Sequence, residues 1–391
     1  MRSLILSAGV LGILFAACAN GTGAAPVKGT TSSSSSGSSS GHTTTSSSGS
    51  GSSSGGKDAA PDGPASTGPI YHVQGNQVLD STGKAHIFRG LVRPSTEWNS
   101  QGQNLSDFDF KNMATAWNSN VVRVTMNQDF WLSDSPAYDP GYAGVIDSEV
   151  QSAESYGMDV ILDLHWSDRG SYSVTPGQQC MADQHSLTFW QEVAAKYAND
   201  GHILFELYNE PYGITAQAWL SGGSSSGCSA SFTVVGMQQL YDQVRMVAPN
   251  NLVIIGGLDW AYDLSAVSGN LVQGTNILYN THPYSYKPNW STTTWDQKFG
   301  FMTANYPVIA TEFGDQDCSA GFDQTFTQYA HTKGIHWTGW AYWSANCNEP
   351  PATEPTGTGS CCAFPSLIAD LSGTPIPGSG TTVQAALVNG P

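Results

Sequence analysis

Short apolar runs rich in β-branched residues alternate along this chain with longer segments whose apolar positions recur at helical spacing. The runs read as strands at 121–125, 158–164, 202–208, 252–256, 276–281, 307–311 and 336–342. Helical patterns lie between them at 108–117, 142–156, 186–198, 233–247, 294–305 and 322–332. Ahead of these, residues 70–90 predict a β-hairpin that turns at 80–83 and runs into a further strand at 86–91. With that strand, the βα alternation reaches eight strands and predicts a single (β/α)8 barrel. A doubly wound open sheet is the structural alternative, but no GxGxxG or phosphate-binding loop follows the early strands. Beyond 342 the chain is loop-rich, and 367–371 is the candidate for a last helix.

Two runs end in carboxylates. In HILFELYNEP, residues 202–211, a strand breaks into Asn209 and Glu210 and is closed by Pro211. In YPVIATEFGD, residues 306–315, a second buried run ends in Glu312. Catalytic groups of a parallel barrel come from the C-terminal ends of different strands, so two such glutamates, roughly three βα units apart, can face each other across the mouth. Glycoside hydrolysis requires a facing pair of that kind.

Composition adds the flanks. Arg2 followed by an apolar run to Ala17 and a small-residue site has the form of a secretory leader, assigned to 1–18 and too short to span a bilayer comfortably. Within it, FAAC resembles a lipobox, which makes Cys18 a candidate for lipidation and membrane attachment; ordinary cleavage after Ala17 or Ala19 is the other reading. Residues 19–69 are dominated by Ser, Gly and Thr, have little apolar surface to bury, and predict a disordered tether. The catalytic domain is then 70–391. Six further cysteines, Cys180, Cys228, Cys318, Cys347, Cys361 and Cys362, fall in segments read as loops after strands. An even number in an exported chain predicts disulfides on the active-site face; Cys180 and Cys228 follow neighbouring strands and can pair, and the remaining connectivity is open. The expected location is extracellular or cell-surface. The net charge of −17 argues against a nucleic-acid partner and suits a neutral polymer.

Read together, the strand ends carry Arg123, His165, Asn209, Glu210, His282, Tyr284, Glu312 and Trp343. Their motifs are VVRV at 121–124, LDLHW at 162–166, YNEP at 208–211, THPY at 281–284, TEFG at 311–314 and WAYWS at 340–344. In this order they resemble glycoside hydrolase family 5, the cellulase-type barrel glycosidases, over roughly residues 70–372. The resemblance implies Glu210 as acid/base and Glu312 as nucleophile of a retaining mechanism. It implies that Asn209 bonds the sugar 2-hydroxyl, that Tyr284 and Arg123 hold Glu312 ionised, that His165 and His282 bind sugar or orient the carboxylates, and that Trp343 offers a flat face to a pyranose ring. Trp98, Trp166 and Trp260, on loops after strands, are further candidates for stacking on sugar. Any one of these residues alone has a structural explanation in a cap, an ion pair or core packing; eight on one rim do not.

The function expected from these residues is a monomeric endo-β-1,4-glucanase without a cofactor. A β-mannanase or other β-glycanase of the same family is the alternative, and a non-catalytic glycan-binding protein is the rival from another class. No metal site is expected: Asp163, His165, His202 and His282 include ligand types, but no HxH opens the first strand, and His202 begins its strand at the opposite end of the barrel.

Overall fold

Eight parallel strands close into a barrel in sequential order. We label them β1 (Arg89–Arg93), β2 (Val121–Asn127), β3 (Asp159–Trp166), β4 (Ile203–Glu206), β5 (Val253–Gly256), β6 (Ile277–Asn280), β7 (Val308–Ala310) and β8 (His336–Gly339). The structure, a computed structural model, describes residues 70–224, 231–344 and 366–390. All of them belong to one compact unit, Ser66–Pro391. The leader, the tether, Cys18, Cys228, Cys347, Cys361 and Cys362 lie outside the described residues.

Alternation within each strand decides what each face does. The outward residues, such as Val122, Val124, Val160, Leu162, Ile203, Phe205, Val253 and Ile255, pack under the surrounding helices in one large core. The inward residues near the strands' N-terminal ends form a second, separate core of Val121, Ile161, Leu204, Ile254, Leu278 and Ile309, closed below by Phe88, Tyr71 and Val78. One pleat higher, the inward residues turn polar: Arg123, Asp163, Glu206 and Asn280 follow Val121, Ile161, Leu204 and Leu278 by two positions. The barrel therefore has an apolar floor and a polar upper layer. Burial of both faces gives the strands their unbroken apolar appearance in sequence.

Several boundaries differ from expectation for local reasons. The N-terminal segment is a three-stranded antiparallel sheet, Tyr71–Gln74, Gln77–Asp80 and Ala85–His86. It has a first turn at Gly75, whose φ of 61° suits glycine, besides the predicted turn at 80–83. Its Tyr71 and Val78 plug the barrel floor, and the first barrel strand consequently starts at Arg89. The pattern at 294–305 divides into a helix, Thr292–Lys298, and a 3-10 turn, Gly300–Ala304. No helix forms at 367–371; the last helix is Ser379–Asn389, and a short helix at Ala216–Ser221 was not anticipated. β8 ends at Gly339, three residues earlier than predicted.

Candidate active site

Arg123 lies at the centre of the polar layer. It is fully buried on β2, and every interaction of its guanidinium reaches a side chain from another strand or the loop after one. Nε donates to Glu206 Oε2 at 2.6 Å, and Nη1 donates to Glu312 Oε1 at 2.6 Å. Nη2 donates to Glu206 Oε1 at 3.1 Å and Asn209 Oδ1 at 2.7 Å, and lies 2.9 Å from Asp163 Oδ2. Such a fork satisfies several acceptors in fixed directions, which an ammonium group does not. Burial works against the guanidinium charge, but Asp163, Glu206 and Glu312 outweigh it and hold its pKa well above the usual value. Burial likewise opposes the charge of Glu206, and Arg123 overcomes it, so this carboxylate is held below the usual range.

Glu312 is fixed from two sides, since Tyr284 donates its hydroxyl proton to Oε2 at 2.6 Å while Arg123 holds Oε1. Burial and the Glu312 charge push the Tyr284 phenol well up, so it stays a donor. Facing Glu312, Glu210 is more open, its side chain 16% exposed against 5% for Glu312. One carboxylate oxygen of each lies within 4.8 Å of the other, with His282 between them. His282 Nδ1 is 2.9 Å from Glu210 Oε1 and 3.5 Å from Glu312 Oε2.

The other nitrogen of His282, Nε2, lies 2.9 Å from Thr311 Oγ1, which itself donates to Glu206 Oε1 at 2.8 Å, and 3.0 Å from Asn280 Nδ2. Nδ1 is the atom that exchanges a proton with Glu210. Burial favours neutral His282, but Glu312, Glu206 and Glu210 together prevail and push its pKa up to about 9. His165 behaves in the opposite sense. Burial lowers its pKa, and a neutral ring with Nδ1 donating to Asp163 Oδ2 at 2.6 Å leaves Nε2 as an acceptor facing Asn209 Nδ2 at 3.4 Å.

Seven predicted residues, Arg123, His165, Asn209, Glu210, His282, Tyr284 and Glu312, thus join one hydrogen-bonded network. The four tryptophans stand around it. Because β8 ends at Gly339, Trp340 and not Trp343 occupies the strand's lip, stacked on His165 with centroids 5.6 Å apart and joined to Ala341 by a cis peptide bond. Trp343 packs against the cluster of Val92, Tyr284 and Trp340, beneath Trp98 at 5.3 Å and with Arg93 5.6 Å from its ring centre. Trp166 closes β3, half-buried, and no hydrogen bond of the network reaches it. Trp260 is 42% exposed and lies flat on Tyr212, 4.7 Å away at an interplanar angle of 1°. His202 precedes β4 and bonds Asp159 at 2.7 Å, at the opposite end of the barrel. Cys180 and Cys318 are buried in the loops after β3 and β7.

Sequence reading missed Glu206, Asp163, Asn280 and Thr311 as members of this network. The signal was period two: Glu206 follows the inward Leu204, as Asn280 follows Leu278. Two groups of described residues bring three metal-ligand atoms within 4.8 Å, Glu210–His282–Glu312 and Asp168–Asp183–His185. The first is the carboxylate pair with its histidine. In the second, the Gln128 amide donates to both Asp168, at 3.0 Å, and Asp183, at 3.2 Å, so an NH2 group already fills the space between the acids.

A closed parallel barrel with two carboxylates facing each other across its C-terminal mouth defines a barrel glycosidase. The family described as Cellulase (glycosyl hydrolase family 5) matches residues 79–346, and the chain belongs to it. Among curated proteins it is 25% identical to an endoglucanase of Clostridium saccharobutylicum, over 82% of this chain and 68% of the relative. It is 22% identical to Endoglucanase N of Pectobacterium atrosepticum, over 71% of this chain and 58% of the relative. The chain thus spans about two thirds and somewhat over half of the lengths of these two relatives. Among solved structures, β-glucanase SdGluc5_26A of Saccharophagus degradans in complex with cellotetraose superposes with a TM-score of 0.62 at 23% identity, covering 83% of this chain and 94% of that one. The catalytic domain of Thermobifida fusca endoglucanase Cel5A superposes with a TM-score of 0.60 at 20% identity, covering 81% of this chain and 97% of that one. These likenesses establish the fold.

Proposed function

We propose that the chain is a retaining endo-β-1,4-glucanase acting by double displacement. The observation that carries this reading is that one carboxylate oxygen of Glu210 lies within 4.8 Å of one of Glu312. A gap of about 5 Å suits direct attack by one carboxylate, whereas roughly 6.5–9.5 Å leaves room for a water and gives inversion. Glu312, ionised and aimed by Arg123 and Tyr284, attacks the anomeric carbon. Glu210 gives the leaving oxygen the proton it shares with His282 Nδ1, and then takes a proton from the water that releases the sugar. Asn209, tied by Oδ1 to the same Arg123 that holds Glu312, bonds the 2-hydroxyl of the sugar in the cleaved subsite through Nδ2 in this mechanism. Trp340 and Trp343 cluster with Tyr284, the hydroxyl partner of Glu312, and Tyr212, two residues after Glu210, stacks on the exposed Trp260. The endoglucanases and the cellotetraose-bound β-glucanase similar to this chain support a β-1,4-glucan as the polymer.

The proposal extends to the flanks of the barrel. The enzyme is exported as a monomer, either secreted or held at the membrane by lipidated Cys18, with its barrel on a Ser/Gly/Thr-rich tether and six cysteines paired on the active-site face. The leader pattern, FAAC and the burial of Cys180 and Cys318 in the loops after β3 and β7 support this.

Azide rescue tests the assignment of roles. Glu312→Ala is expected to abolish turnover on every β-glycoside. Glu210→Ala is expected to lose activity on glucan yet to form the glycosyl-enzyme from a substrate with an activated aryl leaving group, and added azide then releases a β-glycosyl azide. An α-azide product, or rescue of the Glu312 variant in place of the Glu210 variant, overturns the reading. Reducing-sugar release from carboxymethylcellulose above that from mannan, xylan, xyloglucan and lichenan checks the polymer.

A further inference from the structure

We propose that Gln178, in the loop between β3 and the helix Gln184–Tyr197, is a positioning residue that aims the Asn209 amide at the sugar 2-hydroxyl; the inference rests on the retaining-glycosidase reading above. Gln178 Oε1 accepts from Asn209 Nδ2 at 2.9 Å. Its Nε2 donates to the backbone carbonyls of Glu210, at 2.9 Å, and Gln179, at 3.0 Å. One side chain therefore grips the residue beside the acid/base and the backbone of the acid/base itself.

Only one orientation of the two amides satisfies every neighbour. Arg123 can only donate, so Asn209 must turn Oδ1 to it, at 2.7 Å, and Nδ2 to Gln178. Gln178 then has to present Oε1 to Asn209, which leaves Nε2 for the two carbonyls. Asn209 Nδ2 carries two hydrogens. Gln178 holds one of them at 2.9 Å, and the other faces His165 Nε2 at a long 3.4 Å, a weak bond that a substrate hydroxyl at closer range can replace. Without Gln178 the amide keeps its Oδ1 anchor but loses the contact that fixes its donor side.

The backbone around Gln178 is rigid enough for the task. On one side, Gly177 forms a two-way bridge with Ser167, each amide donating to the other's carbonyl at 3.0 Å. On the other, the Gln179 carbonyl accepts the Tyr208 hydroxyl at 2.9 Å, and the Cys180 carbonyl accepts the Tyr212 amide at 2.9 Å. Tyr208 and Tyr212 flank Asn209 and Glu210 in sequence. The loop after β3 and the loop after β4 are thus laced together on both sides of the Gln178–Asn209 contact. A group held this way needs no reorganisation when the transition state forms, as preorganised donors require.

The test compares a nitrophenyl β-cellobioside with its analogue lacking the 2-hydroxyl on the sugar at the scissile bond. Gln178→Met, close in size and without polar ends, is expected to lower kcat/KM on the hydroxylated substrate about tenfold, as when a buried amide hydrogen loses its acceptor. On the 2-deoxy analogue the same variant stays within about twofold of wild type, because the contact that Gln178 aims is already missing. Gln178→Glu keeps the acceptor for Asn209 but turns its other oxygen against the Glu210 and Gln179 carbonyls, so the ratio between the two substrates is expected to fall between those of wild type and Gln178→Met. Gln178→Ser takes the place of Gln178→Met if the latter fails to fold. Equal losses on both substrates, or no loss on either, overturn the inference. Wild-type enzyme inactive on the hydroxylated substrate would instead sink the glycosidase reading and this inference with it.

Discussion

Single side chains in the polar layer differ widely in what they contribute, and burial decides which of them matter. Glu206 is fully buried and doubly bonded to Arg123, so Glu206→Gln leaves the guanidinium short of a counter-charge where water cannot replace it. Breaking a buried pair by removing one partner costs about 3–5 kcal/mol, whereas an exposed pair is worth about 0–1 kcal/mol. Urea unfolding is therefore expected to show a loss of several kcal/mol for Glu206→Gln and almost none for Asp296→Asn, whose partner Lys333 is 32% exposed. Equal effects would mean that water reaches the Arg123 layer. The same contrast explains what was legible at this scale. Asn209, Glu210 and Glu312 announced themselves because each interrupts an apolar run where the chain leaves the barrel. Glu206 stands inside its run, and a lone carboxylate between Phe205 and Leu207 reads as an interruption of the strand until its inward register with Leu204 is known. Gln178 had no sequence signal, since its partners lie on another strand's loop and its own loop has no periodicity.

Among the elements, the strands were easier to place than their ends. Seven of the eight predicted strands overlap the observed ones closely, because burial on both faces writes each as a continuous apolar run. β1 is the exception in its start, as the sheet of Tyr71–His86 takes up part of the predicted run. It also carries Gly90, where a Cβ would lie 1.8 Å from the Val121 carbonyl oxygen of the neighbouring strand. That oxygen is backbone in the middle of the sheet and cannot rotate away. Gly90→Ala is accordingly expected to force β1 and β2 apart and to destabilise the barrel by more than the ~1–3 kcal/mol usual for overpacking, read as a lower thermal midpoint. A midpoint equal to that of wild type would show that β1 can shift along its neighbour. The last helix, Ser379–Asn389, was not recognised because its sequence, SGTTVQAALVN, has no charged residue to mark an outer face, and glycines flank it. Its Val383, Ala386 and Leu387 are buried against the rest of the fold, so tertiary packing and not a strong local pattern makes it helical.

For the whole molecule, the buried ionisable groups set a direction for stability against pH. Away from the carboxylate pair, Glu149 is pushed up to about 8, Asp129 to about 8 and Asp323 to about 7, in each case chiefly by burial. Each keeps its proton in the folded chain at pH values where the unfolded chain has released it. Their contribution to stability is then complete below the unfolded carboxyl pKa of about 4 and is lost as pH rises towards the folded values. His282, raised to about 9, acts in the same sense: its contribution is complete below the unfolded value and is lost as pH rises through the folded one. Two groups work the other way: His336, pushed down to about 3 chiefly by burial, loses its contribution as pH falls below the ordinary histidine value, and Glu206, held low by Arg123, loses its own as the solution becomes strongly acidic. The two tendencies place maximum stability on the mildly acidic side, near about pH 5, with a decline towards about pH 9. One pK unit on one group corresponds to about 1.4 kcal/mol, a large share of a total of about 5–15 kcal/mol, so the decline should be plain in thermal midpoints. Replacing Glu149 by Gln and Asp323 by Asn removes two of the groups that must be kept protonated. The double variant is expected to decline clearly less steeply than wild type between about pH 5 and 8, the remaining fall coming from Asp129 and, above about pH 6.5, from His282. A wild-type midpoint that rises between those pH values, or a double variant that declines as steeply as wild type, would show that water enters around Glu149 and Asp323 and that their burial does not govern the stability of the barrel.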